Sequence, residues 1–479
     1  MVEVWWVWQV GVRVLERVFQ LRQQGTSVKT EVVAGLTTFL TMSYIIFVQP
    51  AVLSGSMFGL DTGIDFGAVT TATCLAAALA SAIMGLYARY PIAQAPGMGQ
   101  NFFFVFSILP VAAATGHPEP WRAALGVIFV SGVLFLALSL FGLRERLIEA
   151  VSPSMKAALA AGIGVFIAFI GLQNGGLIVK DPATAVALNP AFTSPDLLIF
   201  FLGLGLSAVL YVRKVRGALL WAMATALVAS LALHAALPAL GSDLGAGSML
   251  MTRFTPAREL FATPPSILPT LLRMDILAAL TVELLPLVLL VLFMDLFDTL
   301  GTLVAVSQSA GLMRDGKLPR IKRALLSDAV GTVGGACLGT STVTSYIESV
   351  TGVEQGGRTG LVSVVVAILF LVALPFTPVI AMVGSYPPIT APALVIVGAL
   401  MMRGITRVQW DDATEAIPAF LTFVCIPLTF SIADGLALGL IAYPVLKIAA
   451  GRHRELNRSQ VVLAVVLAAY FLFLRANVG

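Results

Sequence analysis

The sequence predicts an all-α polytopic membrane protein with fourteen transmembrane segments in two inverted repeats of seven. Three observations carry this. Of the 479 residues, 58% are hydrophobic and 11% charged, and the mean hydropathy is +0.95, a balance no ordinary soluble domain shows. About fourteen apolar stretches approach the roughly 20 residues a spanning helix needs; they begin near Val32, Gly67, Ile92, Ala123, Ala150, Leu197, Gly217, Ile276, Leu326, Thr340, Thr359, Pro388, Ala413 and Ile432. The third and tenth are short and interrupted, and they lie seven spans apart. An odd spacing inserts the two halves with opposite topology.

Composition also excludes several classes. The net charge is +4, and no extended Lys/Arg block occurs outside the loops, so no nucleic-acid surface is expected. Cys74, Cys337 and Cys425 lie in apolar segments and suggest neither a disulfide framework nor a metal site. His117, His234 and His453 are scattered, where a zinc site needs clustered ligands. No cofactor is implied.

The chain begins with an expected cytoplasmic interfacial segment, residues 1–30, with no cleavable signal peptide. Trp5, Trp6 and Trp8 stand among Arg13, Glu16 and Arg17, the pattern of an amphipathic helix at headgroup level. The loops then test the span count. With a cytoplasmic N-terminus, loops after even-numbered spans face inward. They hold Arg89; Arg144 and Arg146; Arg213, Lys214 and Arg216; Arg314, Lys317, Arg320, Lys322 and Arg323; then Arg358, Arg403 and Arg407, with Arg452 and Arg454 in the tail. Loops after odd spans lack such clusters. The exception, with Arg253, Arg258 and Arg273, is long, and long loops weigh less. Both termini are therefore expected in the cytoplasm, with the chain in the cell (inner or plasma) membrane. The apolar run 461–474 is short for a span and reads as interfacial.

Within the third stretch, Ala95-Pro96-Gly97-Met98-Gly99-Gln100-Asn101 precedes an aromatic helix beginning at Phe102. Gly97 and Gly99 would let backbone approach a ligand closely. The Asn101 amide both donates and accepts, which suits a heterocyclic amide. In the eighth stretch, Asp298 lies about twelve residues beyond Pro286, roughly mid-membrane at about 1.5 Å per residue. Gly301 and Thr302 share its face. A carboxyl at that depth marks a functional site by default. Asp295, one turn earlier, reads as a second ligand or, in preference, as a supporting hydrogen-bond partner. The tenth stretch, Gly339 to Ser349, is crowded with hydroxyls. Thr340 to Thr344 reads as extended backbone, which membrane depth tolerates only where protein buries it or it lines a cavity. Ser345 reads as a helix N-cap with Glu348 at capping-box spacing. Opposed effects of helix dipole and burial make Glu348 a candidate for proton coupling, and Thr344 and Ser345 offer further hydrogen bonds. Glu283, Asp328, Asp411, Asp412, Glu415 and Asp434 read as acids at helix starts or interfaces, without chemistry of their own.

Phe297-Asp298-Thr299-Leu300-Gly301-Thr302, residues 339–349, and Glu354-Gln355-Gly356-Gly357-Arg358-Thr359-Gly360 together resemble the AzgA-type purine permeases of the nucleobase–cation and nucleobase–ascorbate transporter superfamily. The similarity runs from Thr30-Glu31 and Thr41-Met42-Ser43-Tyr44 to Ser431-Ile432-Ala433-Asp434-Gly435. The resemblance implies a core domain of spans 1–4 and 8–11 (residues 31–148 and 276–384). It implies a gate domain of spans 5–7 and 12–14 (149–241 and 385–450), an extracytoplasmic loop 242–275 and a C-terminal segment 451–479. It also implies short strands in spans 3 and 10, and proton-coupled import of hypoxanthine, guanine or adenine. Protons rather than sodium are expected as the coupling ion, and a homodimer stays open. By position, Asp298, Glu348 and Asn101 match the family's binding acids and amide. Gly99, Phe102, Thr302, Thr344 and Ser345 complete the expected substrate site, with Asp298 and Glu348 coupling to protons. Relatives outside the purine branch carry Asn after the second acid; here it is Ser349. An anion transporter or channel on a similar scaffold is the alternative, opposed by two acids in the site. An intramembrane aspartyl protease is opposed by the absence of Gly-x-Gly-Asp, so no enzyme is expected.

Overall fold

The computed structural model describes residues 15–141, 151–239, 247–313, 318–469 and 471–472. The N-terminal tryptophans, Arg13, Arg144, Arg146, Arg314 and Lys317 lie outside the described residues. In order, the elements are helices α1 (Val28–Met42), α2 (Ile45–Leu53) and α3 (Phe66–Ile83), strand β1 (Gln94–Pro96), and helices α4 (Met98–Phe103), α5 (Leu109–Ala114), α6 (Pro120–Phe141) and α7 (Pro153–Asn174). Next come strands β2 (Ile178–Asp181) and β3 (Ala185–Leu188), and helices α8 (Pro195–Val212), α9 (Ala218–Ala239), α10 (Leu285–Ser309) and α11 (Ile321–Leu338). Strand β4 (Val343–Ser345) precedes α12 (Ser349–Glu354), α13 (Leu361–Ala373), α14 (Thr377–Ser385), α15 (Pro387–Met401), α16 (Ala413–Thr429), α17 (Ile432–Ala449) and α18 (Arg458–Ala469).

Local chemistry starts many of these helices. Ser27, Asp65, Ser152, Ser194, Asp412 and Ser431 sit at N-caps and accept backbone N–H groups of the first turn. Such caps satisfy donors the helix cannot, and Pro153 and Pro195 open their helices without losing a hydrogen bond.

Among the described residues, ten helical stretches are long and apolar enough to cross a membrane. The predicted third, ninth, tenth and thirteenth spans fall short, each for a physical reason. The third and tenth are a strand followed by a short helix. The ninth, α11, carries Lys322, Arg323 and Asp328 in its 18 residues. The thirteenth, α16, has 17 residues. The protein is mostly helical. Strand β1 pairs antiparallel with β4, Gln94 opposite Ser345 and Pro96 opposite Val343. The surface hairpin of β2 and β3 was not anticipated from the sequence.

The helices pack in two groups. In the first, α6 packs on α10 and α11, α13 on α1 and α3, and α12 on α1. In the second, α7 packs on α15 and α16, α16 on α17, and α8 on α9 and α15. Glycine sets the closeness of the second group: a Cβ on Gly164 would stand 2.7 Å from the Gly398 carbonyl oxygen, and one on Gly398 2.3 Å from that of Gly164. The strand pair lies within the first group, against α3, α10 and α11.

Candidate functional site

The paired strands set two short helices, α4 and α12, beside the middle of α10. Gly97 donates its N–H to the Thr342 carbonyl (2.9 Å), and the Tyr346 hydroxyl donates to the Pro96 carbonyl (2.5 Å). A Cβ on Gly97 would crowd the Gln100 side chain and stand 2.8 Å from Thr344 Cγ2, so a side chain here would push both neighbours aside.

Asp298 lies midway along α10 with its side chain exposed, and the space before it is termed the recess. Gly301, Val304 and Gln308 continue its exposed stripe at helical spacing toward the α10 C-terminus, and a Cβ on Gly301 would touch nothing within 4 Å. Gln100 Nε2 donates to Asp298 Oδ2 (3.2 Å). Glu348 is half-buried, and the Tyr44 hydroxyl, from the break between α1 and α2, donates to its Oε1 (3.1 Å). The two carboxyls lie within electrostatic range of each other. This pair of acids, one amide and one phenol provides acceptors for ring N–H groups and donors for ring oxygens.

Other expected site residues sit behind this surface. Asn101 is fully buried; its Oδ1 accepts from the Ser341 hydroxyl. Gly99 and Asn101 are helical, within α4, so the extended backbone ends earlier than expected. A Cβ on Gly99 would stand 3.0 Å from Ile163 Cγ2 on α7, so Gly99 meets the second helix group. Phe102 is buried against Phe58, Phe106 and Phe166 at 6.0–6.4 Å between ring centroids. Thr302 is buried while its neighbour Gly301 is exposed. Thr344 Oγ1 meets Thr299 Oγ1 (2.9 Å). Ser345 caps nothing: it lies in β4, and its Oγ accepts from Gln94 Nε2 (3.2 Å). The capping-box reading fails because strand pairing with a segment 251 residues away in sequence outweighs the local capping preference. Glu348 directly precedes α12 and bonds to Tyr44 instead of the backbone of that helix.

Sequence reasoning missed several residues. Gln49 Nε2 donates to Thr340 Oγ1 (2.8 Å) and Ser341 Oγ (3.2 Å). Asp328 is no helix-start acid: α11 begins seven residues earlier, at Ile321. It is fully buried, taking hydrogen bonds from Gln94 Nε2 and Thr299 Oγ1 at 2.7 Å each. Glu415 lies in the first turn of α16, as expected, but with more partners than a helix-start acid needs. It is buried, accepts from Ser152 and Tyr443 and pairs with Lys447 (3.2 Å). The available signal was the same one that found Asp298, a charged or amide side chain inside an apolar run.

The model of the Permease family matches residues 29–438. The chain belongs to the Permease family. It is 48% identical to the putative permease MJ0326 of Methanocaldococcus jannaschii, over 96% of this chain and 98% of that one. It is 42% identical to the guanine/hypoxanthine permease PbuG of Bacillus subtilis, over 95% and 99%. It is 38% identical to the adenine permease AdeP of Escherichia coli, over 98% of each. The fold resembles the transmembrane domain of a cyanobacterial bicarbonate transporter, BicA, with a TM-score of 0.59 at 15% identity, covering 86% of this chain and 97% of that one. The chain is a multi-pass membrane transporter and not an enzyme.

Proposed function

We propose that the protein imports purine nucleobases by proton symport. The observation that carries this is the near full-length similarity to permeases named for guanine, hypoxanthine and adenine, on a chain that brings Asp298 and Glu348 within electrostatic range of each other. Asp298, aligned by Gln100, accepts a purine N–H. Glu348, held by Tyr44, accepts a second and exchanges a proton as substrate comes and goes. Phe102, Asn101, Gly99, Thr302, Thr344 and Ser345 shape the strands and half-helices that hold these groups. The chain crosses the membrane fourteen times in inverted repeats, with cytoplasmic termini. The two packing groups act as core and gate and rock against each other, and the stripe from Asp298 to Gln308 is the inward exit. Resemblance in fold to a bicarbonate transporter favours only the scaffold, since two carboxyls in the recess repel an anion.

Thermal stability of the purified protein tests substrate class. Hypoxanthine, guanine or adenine should raise Tm, and bicarbonate should not; stabilisation by bicarbonate alone would reverse the assignment. Uptake abolished by a protonophore, with sodium replaced by choline, tests the coupling ion.

A further inference from the structure

A second pair of acids lies behind the recess, and its donors do not match its acceptors. Asp295 on α10 is 1% exposed and Asp328 on α11 fully buried. The charged groups acting on them are carboxyls: each other and Asp298 on the same helix as Asp295. The other elements packed here bring hydroxyls and amides: Thr332 and Thr299 from α11 and α10, and Gln94 from β1.

The hydrogen bonds distinguish the two acids. Asp328 Oδ1 takes two donors, Gln94 Nε2 and Thr299 Oγ1, which favours its charged form. Asp295 has Thr332 alone. Thr332 Oγ1 lies 3.0 Å from Asp295 Oδ2 and 3.0 Å from the Val343 carbonyl oxygen, while accepting from Val343 N–H (3.2 Å). A hydroxyl has one proton and cannot donate fully to both acceptors. Meanwhile Asp295 Oδ1, Asp328 Oδ2 and Gln94 Oε1 are buried without partners. Gln94 is fully buried with its amide anchored on Asp328, so its unpartnered oxygen belongs to the same cluster. One added proton resolves the Thr332 conflict. On Asp295 Oδ2 it donates to Thr332 Oγ1, and the Thr332 proton is then free for the Val343 carbonyl.

We propose that Asp295 and Asp328 form a proton site of their own, separate from Asp298 and Glu348, with one proton held on Asp295 and donated to Thr332. Three unpartnered oxygens are fewer than a hard metal cation gathers, so the site takes a proton in preference to a metal ion. Its occupancy sets the bonds beneath β4, the strand that carries Thr344 and Ser345 beside the recess. The proposal does not depend on which solute is carried.

Infrared spectra of the purified full chain at neutral pH test it. The wild type should show a protonated-carboxyl C=O band that Asp295→Asn removes, and the Asn amide still donates to Thr332, preserving the fold. Thr332→Val keeps the acid and removes its acceptor, so the band should persist at shifted frequency. Asp298→Asn and Glu348→Gln should leave the band in place. The idea is overturned if Asp295→Asn leaves the band intact, or if no such band exists. It is also overturned if sodium chloride, against choline chloride, raises the Tm of the wild type but not of Asp295→Asn, because the pair would then hold sodium.

Discussion

At the scale of single residues, the proposed symport divides the work between Asp298 and Glu348. Asp298 stands on a continuous helix and takes a donor from Gln100, which on this proposal would orient the carboxylate for a purine N–H. An amide is a poorer acceptor, so Asp298→Asn should lose a charge-assisted hydrogen bond of about 1.5–3 kcal/mol, roughly ten- to a hundredfold in affinity, measured by calorimetry. Glu348 has a single phenol partner, Tyr44, that serves either protonation state, since a phenol both donates and accepts. Glu348→Gln mimics the protonated acid. It should keep substrate binding within about tenfold yet lose accumulation driven by a pH step in proteoliposomes. Accumulation against a gradient by that variant would remove the coupling role from Glu348. Both acids stand out in the sequence, Asp298 as a carboxyl in an apolar run and Glu348 as the acid that closes a hydroxyl-rich stretch. Asn101 was legible as special but not in its partner: the Ser341 hydroxyl it binds is 240 residues away, a distance that only the fold closes.

At the scale of elements, the strand pair and the ion cluster around Lys447 show what local pattern leaves undetermined. The hydroxyl-rich tenth stretch reads correctly as extended, but the start of its helix does not, since pairing with β1 holds Ser345 in a strand. Gly99 reads as a ligand-approach glycine, and its position instead shows α4 packed on Ile163 of α7. Gly99→Ala should therefore be tolerated with reduced uptake. Gly99→Val should abolish uptake with membrane insertion intact, scored by surface labelling and radiolabelled purine. Normal transport by the valine variant would remove this packing from the mechanism. Lys447 is 2% exposed and reaches Glu415, at 3.2 Å, and Glu455, at 2.9 Å. Lys447→Met leaves Glu415 buried without its cation and should lower stability by roughly 3–5 kcal/mol, read as a fall in Tm. Around it, hydrogen bonds from Thr414 and Arg452 hold Asp412 at about 2, and bonds from Arg452 and Lys447 hold Glu455 at about 2. Both are below ordinary carboxyl values of roughly 4. Their contribution is present above that ordinary value and is lost as pH falls toward 2.

At the scale of the whole molecule, aromatic rings form part of the contact between the two helix groups, and they bear on how the groups can move. Lys156 of α7 places its ammonium 4.8 Å from the centre of the Phe297 ring of α10. Phe102 and Phe106 pack on Phe166, and Phe106 also on Phe430. Aromatic faces can slide and re-seat, unlike the glycine-tight contacts within the second group, so relative motion is expected at this seam. Its direction depends on topology: cysteine at Lys322, an exposed site, should resist impermeant thiol reagents applied outside intact cells, in a background lacking Cys74, Cys337 and Cys425. Ready labelling would reverse the inward exit. The motion itself is testable where Ser107, beyond α4, meets Ser431 at the α17 N-cap, their hydroxyl oxygens 3.5 Å apart. Serine-to-cysteine changes are nearly isosteric, and the separation lets a disulfide close with small adjustment. The double variant Ser107→Cys/Ser431→Cys should oxidise to an intramolecular crosslink that stops uptake at least tenfold, with dithiothreitol restoring it and either single variant unaffected by oxidant. If the crosslinked protein transports at the reduced protein's rate, the two groups do not separate at this seam, and rocking of one against the other is not how the solute crosses.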